Sequence, residues 1–175
     1  MNKVLIVCYS RSGTARQVAR QLQQITGWAI GEVRDVRPRK GFGGGLRCIV
    51  DSLFARSAPY TYDGPALAGF ERLVVLTPIW LDGLAAPMRA LLRDTRHPGR
   101  RLSLICVMSR GGASRAADEV TTIVGAEPAL VLGLTQSNVL SGKCLPALQS
   151  FVDDINAINS EPAVARPIWS SPTAA

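Results

Sequence analysis

Four stretches of the chain are apolar with little or no alternation: Val4 to Cys8, Leu73 to Leu76, Leu102 to Val107 and Leu130 to Leu134. Runs of this length predict strands buried on both faces. Between them the apolar positions fall at helical spacing. Ala15, Val18, Ala19, Leu22 and Ile25 form one stripe, and Gly27 ends it. Met88, Leu91 and Leu92 form a second, with Pro87 suited to its first turn. Ala116, Ala117, Val120, Ile123 and Val124 form a third, and Leu148, Phe151, Val152, Ile155 and Ile158 a fourth, begun near Pro146. Trp28 to Val36 alternates weakly and predicts a fifth strand.

Strands alternating with helices predict an α/β fold, a parallel sheet with helices on both faces. Residues 38–70 depart from this rhythm. They hold the glycine-rich turn Gly41 to Gly45, a predicted helix from Leu46 to Arg56, and an irregular stretch with Pro59, Gly64 and Pro65. Gly41-Phe42-Gly43-Gly44-Gly45 is no dinucleotide fingerprint, because no clear strand leads into it. Residues 1–159 read as one domain. Residues 160–175, with Pro162, Pro167 and Pro172, read as a poorly ordered tail that Trp169 is suited to anchor.

Composition narrows the class. With 47% hydrophobic and 19% charged residues, the 175-residue chain is globular, which excludes disorder throughout. No apolar run approaches the ~18 residues of a membrane-spanning helix, and the first run is too short for a signal peptide. Cys8, Cys48, Cys106 and Cys144 are widely spaced and His97 stands alone, so no metal site is expected. Buried, reduced cysteines suit a cytoplasmic protein. The net charge of +7 raises the question of nucleic acid. The 17 arginines are scattered, however, and no aromatic residues interleave with basic ones, so nucleic acid is not an expected partner.

In an open parallel sheet, ligands bind outside the carboxyl ends of the strands. Three loops there are unusual. After the first strand, Tyr9-Ser10-Arg11-Ser12-Gly13-Thr14-Ala15 offers three hydroxyls and a glycine where a helix begins. Unpaired backbone N–H groups and the helix dipole at such a place suit a phosphate; plain capping by Ser12 would need one hydroxyl, not three. After the third, the loop from Thr77 to Pro87, which reads Thr77-Pro78-Ile79-Trp80-Leu81-Asp82-Gly83-Leu84-Ala85-Ala86-Pro87, sets a Trp between Pro and Gly, well placed to cover a planar ring or to plug the sheet end. After the fourth, Met108-Ser109-Arg110-Gly111-Gly112-Ala113 combines a cation with glycines that permit close backbone approach, or is a turn before a helix begun at Ser114.

Together these loops resemble the flavodoxin-like family of FMN-binding proteins, short-chain type, across roughly residues 3 to 158. Ser10-Arg11-Ser12-Gly13-Thr14-Ala15 is similar to the family's phosphate loop, with Ala15 in place of a final Thr. Pro78-Ile79-Trp80-Leu81-Asp82-Gly83 resembles the segment beside the isoalloxazine ring, and Ser109 to Gly112 the second ring-side loop. The resemblance implies a three-layer sandwich around a five-stranded parallel sheet, order 2-1-3-4-5. It implies FMN held by Ser10, Ser12, Gly13, Thr14 and the backbone of Arg11 and Ala15. Trp80, Leu81, Asp82 and Gly83 would line the ring, with Ser109, Arg110, Gly111 and Gly112 opposite. Asp82 is a ring-edge partner or a helix-start residue. No catalytic acid or base is nominated.

Low-molecular-weight tyrosine phosphatases also place an anion loop after their first strand, but need Cys, five residues, then Arg. From Cys8 that position is Thr14, so nothing clamps a phosphoryl group. Three readings remain: an FMN oxidoreductase taking electrons from NAD(P)H to a quinone or similar acceptor, a one-electron carrier serving a redox partner protein, and a flavin-free regulatory module. Family carriers tend to be acidic; the basic charge and Arg110 favour the reduced, anionic ring and hence the reductase. The segment 41–62 is a candidate wall of the substrate site or a homodimer contact, and Tyr60 and Tyr62 are candidates to reach the flavin.

Overall fold

A computed structural model describes residues 4–36, 58–95, 101–109 and 111–160. The continuous apolar runs become strands β1 (Val4–Tyr9), β4 (Arg72–Trp80) and β6 (Arg101–Met108), buried along almost their whole length. The weakly alternating segment is β2 (Ala29–Asp35), and the last run is β7 (Val131–Thr135). The stripes become α1 (Thr14–Thr26), α2 (Ala86–Asp94), α3 (Ala113–Val124) and α5 (Leu145–Ser160), with a short α4 (Gln136–Leu140) after β7. Gly27, at φ 71°, closes α1 by donating its N–H to the Gln23 carbonyl at 2.8 Å.

The parallel strands lie in the order β2-β1-β4-β6-β7, the 2-1-3-4-5 sequence that the resemblance implied. The sheet is nonetheless seven-stranded and mixed. β3 (Tyr60–Asp63) runs antiparallel along β2, and the two-residue β5 (Gly83–Leu84) folds back on β4. Tyr60-Thr61-Tyr62 is a β-prone triplet whose backbone satisfies the free edge of β2. The expected helix from Leu46 to Arg56, the glycine-rich turn and nearly all of the tail lie outside the described residues.

Side-chain alternation divides the core in two. Leu5, Val7, Leu73, Val75, Leu104 and Cys106 face α2 and α3, where Met88, Leu91, Val120 and Ile123 meet them. Val4, Ile6, Cys8, Val74, Leu76 and Ile105 face α1 and α5, against Val18, Leu22, Leu148 and Phe151. Each fully buried large aliphatic adds ~1.5–3 kcal/mol of transfer free energy. β7 is not buried on both faces as its sequence predicts: as the outermost strand it leaves Val131 43% exposed. Among the described residues no helix is long and apolar enough to cross a membrane, and no cluster of metal-ligating side chains exists.

At the amino ends of the strands, two arginines close α5. Buried Arg72 donates to Asn159 Oδ1 at 3.1 Å and Ser103 Oγ at 3.2 Å, and Arg101 donates to the Ile158 carbonyl at 3.5 Å. Cations at a helix C-terminus oppose its dipole. Burial, and secondarily the charge of Arg101, lowers the Arg72 pKa. The opposite end of the sheet is left to the three loops.

Candidate functional site

The first loop turns at Gly13, whose φ of 94° is open to glycine at no steric cost. Its N–H donates to Ser10 Oγ at 3.1 Å, and its carbonyl takes the Gln17 N–H at 2.9 Å, beginning α1. Gly13, not Ser12, is the N-cap, and no side chain caps the helix. Ser12 Oγ instead lies 3.3 Å from Thr14 Oγ1. Since Ser10 Oγ accepts from Gly13, its own proton remains to be donated. The loop thus presents hydroxyls and uncapped first-turn amides together, with Thr14 and Ala15 already buried.

The second loop is a hairpin. Trp80 pairs with Gly83 and Ile79 with Leu84, so only Leu81 and Asp82 form the turn. Both have positive φ, 45° and 62°, as a two-residue hairpin of the primed type requires. An L-residue there costs ~1–2 kcal/mol. Leu81 bears this while its side chain is 61% exposed. Asp82 is therefore no helix-start residue; α2 begins at Ala86. Its Oδ2 accepts from Arg115 Nη1 of α3 at 3.0 Å.

Arg89, Arg115 and Glu119, which the sequence reading leaves unassigned, hold this hairpin. Arg89 is fully buried on α2 and pairs through Nε with Glu119 Oε1 of α3. Arg89 Nη2 also donates to the Leu84 carbonyl at 3.1 Å, and the Leu84 N–H donates to Glu119 Oε2 at 2.9 Å. Both backbone groups of Leu84 are thus held by one ion pair. The third loop buttresses the same hairpin: a Cβ on Gly112, at φ 114°, would lie 3.0 Å from Asp82 Cα and 3.2 Å from Ile79 Cγ2. Arg110 lies outside the described residues; Gly111 is exposed.

The loops converge on one cleft. Ser10, Arg11, Ser12, Thr14 and Ala15 form one side, and Pro78, Ile79, Trp80 and Ser109 another. Val107, Met108 and Gln136 complete the lining. None of these three is nominated as a site residue from the sequence, although Met108 opens the third loop; for Gln136 the signal is a polar residue two positions beyond the last predicted strand, which ends at Leu134. Gly13, Leu81, Asp82, Gly83, Gly111 and Gly112 do not line the cleft; of these, Gly13 shapes the first loop, the Leu81–Asp82 turn and Gly83 build the hairpin, and Gly112 supports it. Tyr60 and Tyr62 are committed elsewhere. The Tyr60 hydroxyl bonds Asp94, and burial together with that carboxylate pushes its pKa up to about 12. Tyr62 donates to the Pro65 carbonyl at 2.7 Å, its ring filling the space over Gly31.

Chemically the lining pairs apolar side chains (Ala15, Pro78, Ile79, Val107, Met108) with groups able to donate hydrogen bonds. Among its described residues there is one guanidinium, Arg11, and no carboxylate, imidazole or thiol. The Trp80 indole Nε1 is buried without a hydrogen-bond partner, which costs free energy unless something in the cleft accepts from it. Such a lining suits an anion with an acceptor-bearing aromatic body, and holds no nucleophile–base pair of its own.

No family model matches the chain, and no curated protein does. Solved structures share its architecture. A flavoprotein of Lactobacillus acidophilus NCFM in complex with FMN superposes with a TM-score of 0.58 at 16% identity, covering 81% of this chain and 98% of that one. A protein of Bacteroides eggerthii DSM 20697 assigned as a flavoprotein gives a TM-score of 0.69 at 13% identity, covering 89% and 99%. The flavodoxin of Fusobacterium nucleatum bound to flavin mononucleotide gives 0.56 at 11% identity, covering 90% and 99%. The strand order, the two helical layers and these likenesses together establish that the chain has the flavodoxin-like fold.

Proposed function

We propose that the cleft binds FMN and that the protein is an oxidoreductase, taking electrons from NAD(P)H and passing them to a quinone or similar small acceptor. The observation that carries the reading is the composition of the cleft: donors from an uncapped helix start at one side, a buried and partnerless indole N–H at the other, and no carboxylate, imidazole or thiol among the described lining residues. FMN, when bound, supplies the hydride and electron transfer; the protein supplies position and field.

In this reading Ser10, Ser12, Thr14 and the first-turn amides of α1 hold the phosphate, each charged hydrogen bond adding ~1.5–3 kcal/mol. Ala15 contributes only its backbone. Trp80 flanks the ring with Ile79 and Pro78, and its Nε1 donates to an acceptor on the flavin. Ser109 adds a hydroxyl to the ring-side lining, and Gly112 supports that side from behind by fixing the hairpin. The net charge of +7 and Arg11 within the cleft favour negative charge on the ring, which supports two-electron chemistry over a low-potential carrier.

Titrating the purified protein with FMN and then adding NADPH or NADH tests both halves. The reading expects flavin fluorescence to change on binding and the visible band of the oxidised flavin to bleach with one nucleotide. Binding without bleaching leaves the electron carrier; no binding leaves the flavin-free module.

A further inference from the structure

Arg11 belongs by sequence to the hydroxyl-rich loop, yet its side chain does not stay there. The guanidinium lies over the Trp80 ring, its carbon 5.4 Å from the ring centroid. It therefore crosses from the start of α1 to the hairpin after β4. Two parts of the cleft with different tasks are joined by this one side chain. The donors expected at the phosphate end, Ser10, Ser12, Thr14 and the amides of α1, are in place without it.

We propose that Arg11 is a ring-side cation of this site, the one among the described lining residues: it biases the site toward reduced over oxidised flavin and is not a phosphate ligand. This rests on the FMN reading above. A guanidinium is planar, keeps its charge at every working pH and is weakly hydrated, so it tolerates a place against an aromatic face. A fixed positive charge beside a ring that gains negative charge on reduction stabilises the reduced form selectively. The same charge adds little to an oxidised, neutral ring. Arg11 thus acts on the difference between the two states, where a phosphate ligand would act on both alike.

The test compares wild type, Arg11→Gln and Arg11→Lys, each first shown to be folded by its thermal transition. In flavin-free protein, Arg11→Gln should alter tryptophan emission, and the alteration should vanish when Trp80→Phe is present in both partners of the comparison. With flavin, Arg11→Gln should weaken reduced FMN about tenfold more than oxidised FMN, a fall of about 30 mV in two-electron potential. Arg11→Lys should recover most of that shift, and the FMN-to-riboflavin affinity ratio should stay at the wild-type value throughout. Equal weakening of both oxidation states, no shift at all, or a collapse of the FMN-to-riboflavin ratio overturns the proposal while leaving the FMN site standing. Failure of the wild type to bind FMN overturns the site, and the role of Arg11 with it.

Discussion

The Leu84 N–H donates to the Glu119 carboxylate at 2.9 Å, so a helix packed on one face of the sheet holds the turn that carries Trp80 at its edge. The same carboxylate pairs with Arg89, which has no exposed surface. Position of the ring-side wall and stability of the fold are therefore coupled through one ion pair.

Glu119→Ala removes from Arg89 the counter-charge that Glu119 supplies, and removes the acceptor of Leu84. Breaking one side of a buried pair costs ~3–5 kcal/mol, and urea unfolding should show a loss of that size. Glu119→Gln, which keeps an acceptor for Leu84, should lose less and retain more of the wild-type tryptophan emission. Equal losses would assign the whole effect to charge.

Gly112→Ala adds a Cβ 2.6 Å from Asp82 Oδ1 and 3.0 Å from Asp82 Cα, at a φ of 114°. The carboxylate can swing aside; the backbone of a hairpin pinned from two helices cannot. The variant should be ~1–3 kcal/mol less stable and bind FMN at least about tenfold more weakly by fluorescence titration. Gly27→Ala, also at positive φ but with open space around it, should lose stability without losing FMN affinity.

Acid should weaken the fold through Glu32. Burial raises its pKa, but hydrogen bonds and charge from Arg16 at 2.8 Å and Arg34 at 3.0 Å outweigh burial and hold it below 4.5. The folded value lies below the unfolded one, so the contribution is present above the unfolded pKa and is lost as pH falls through the folded pKa. Wild type should exceed Glu32→Gln in urea stability at neutral pH, and the gap should close as pH drops below 4.5. A gap that persists in acid would show that packing, not charge, distinguishes them.

Cys8 and Cys106 should resist alkylation in native protein at mildly alkaline pH. Burial pushes both thiols up to about 12, for Cys8 with a smaller contribution from Glu32. Peptide mapping after iodoacetamide treatment should find both unmodified until denaturant is added. Early labelling of either would reveal local opening of β1 or β6.

Much of this architecture is legible in local sequence because its signals are local. The apolar runs of β1, β4 and β6 are buried by neighbours on both sides, so composition alone marks them. The stripes Val18-Ala19-Leu22 and Val120-Ile123 mark helices with one buried face, and the hydroxyls around Gly13 mark the start of α1. The residues of the three loops could be nominated because a parallel sheet sends its loops after successive strands to the same edge.

What the sequence by itself determines is therefore periodicity, loop chemistry and the edge at which that chemistry gathers. Tertiary structure alone decides three further things. Tyr60-Thr61-Tyr62 becomes a strand because β2 offers an unpaired edge, a partner more than twenty residues away. Glu119 and Arg89 become the supports of the hairpin because α2 and α3 pack side by side. Arg11 reaches Trp80 because β1 and β4 are neighbours in the sheet. Each depends on a contact between residues distant in the chain, and the free energy of such contacts is set by which surfaces meet, which no local pattern encodes.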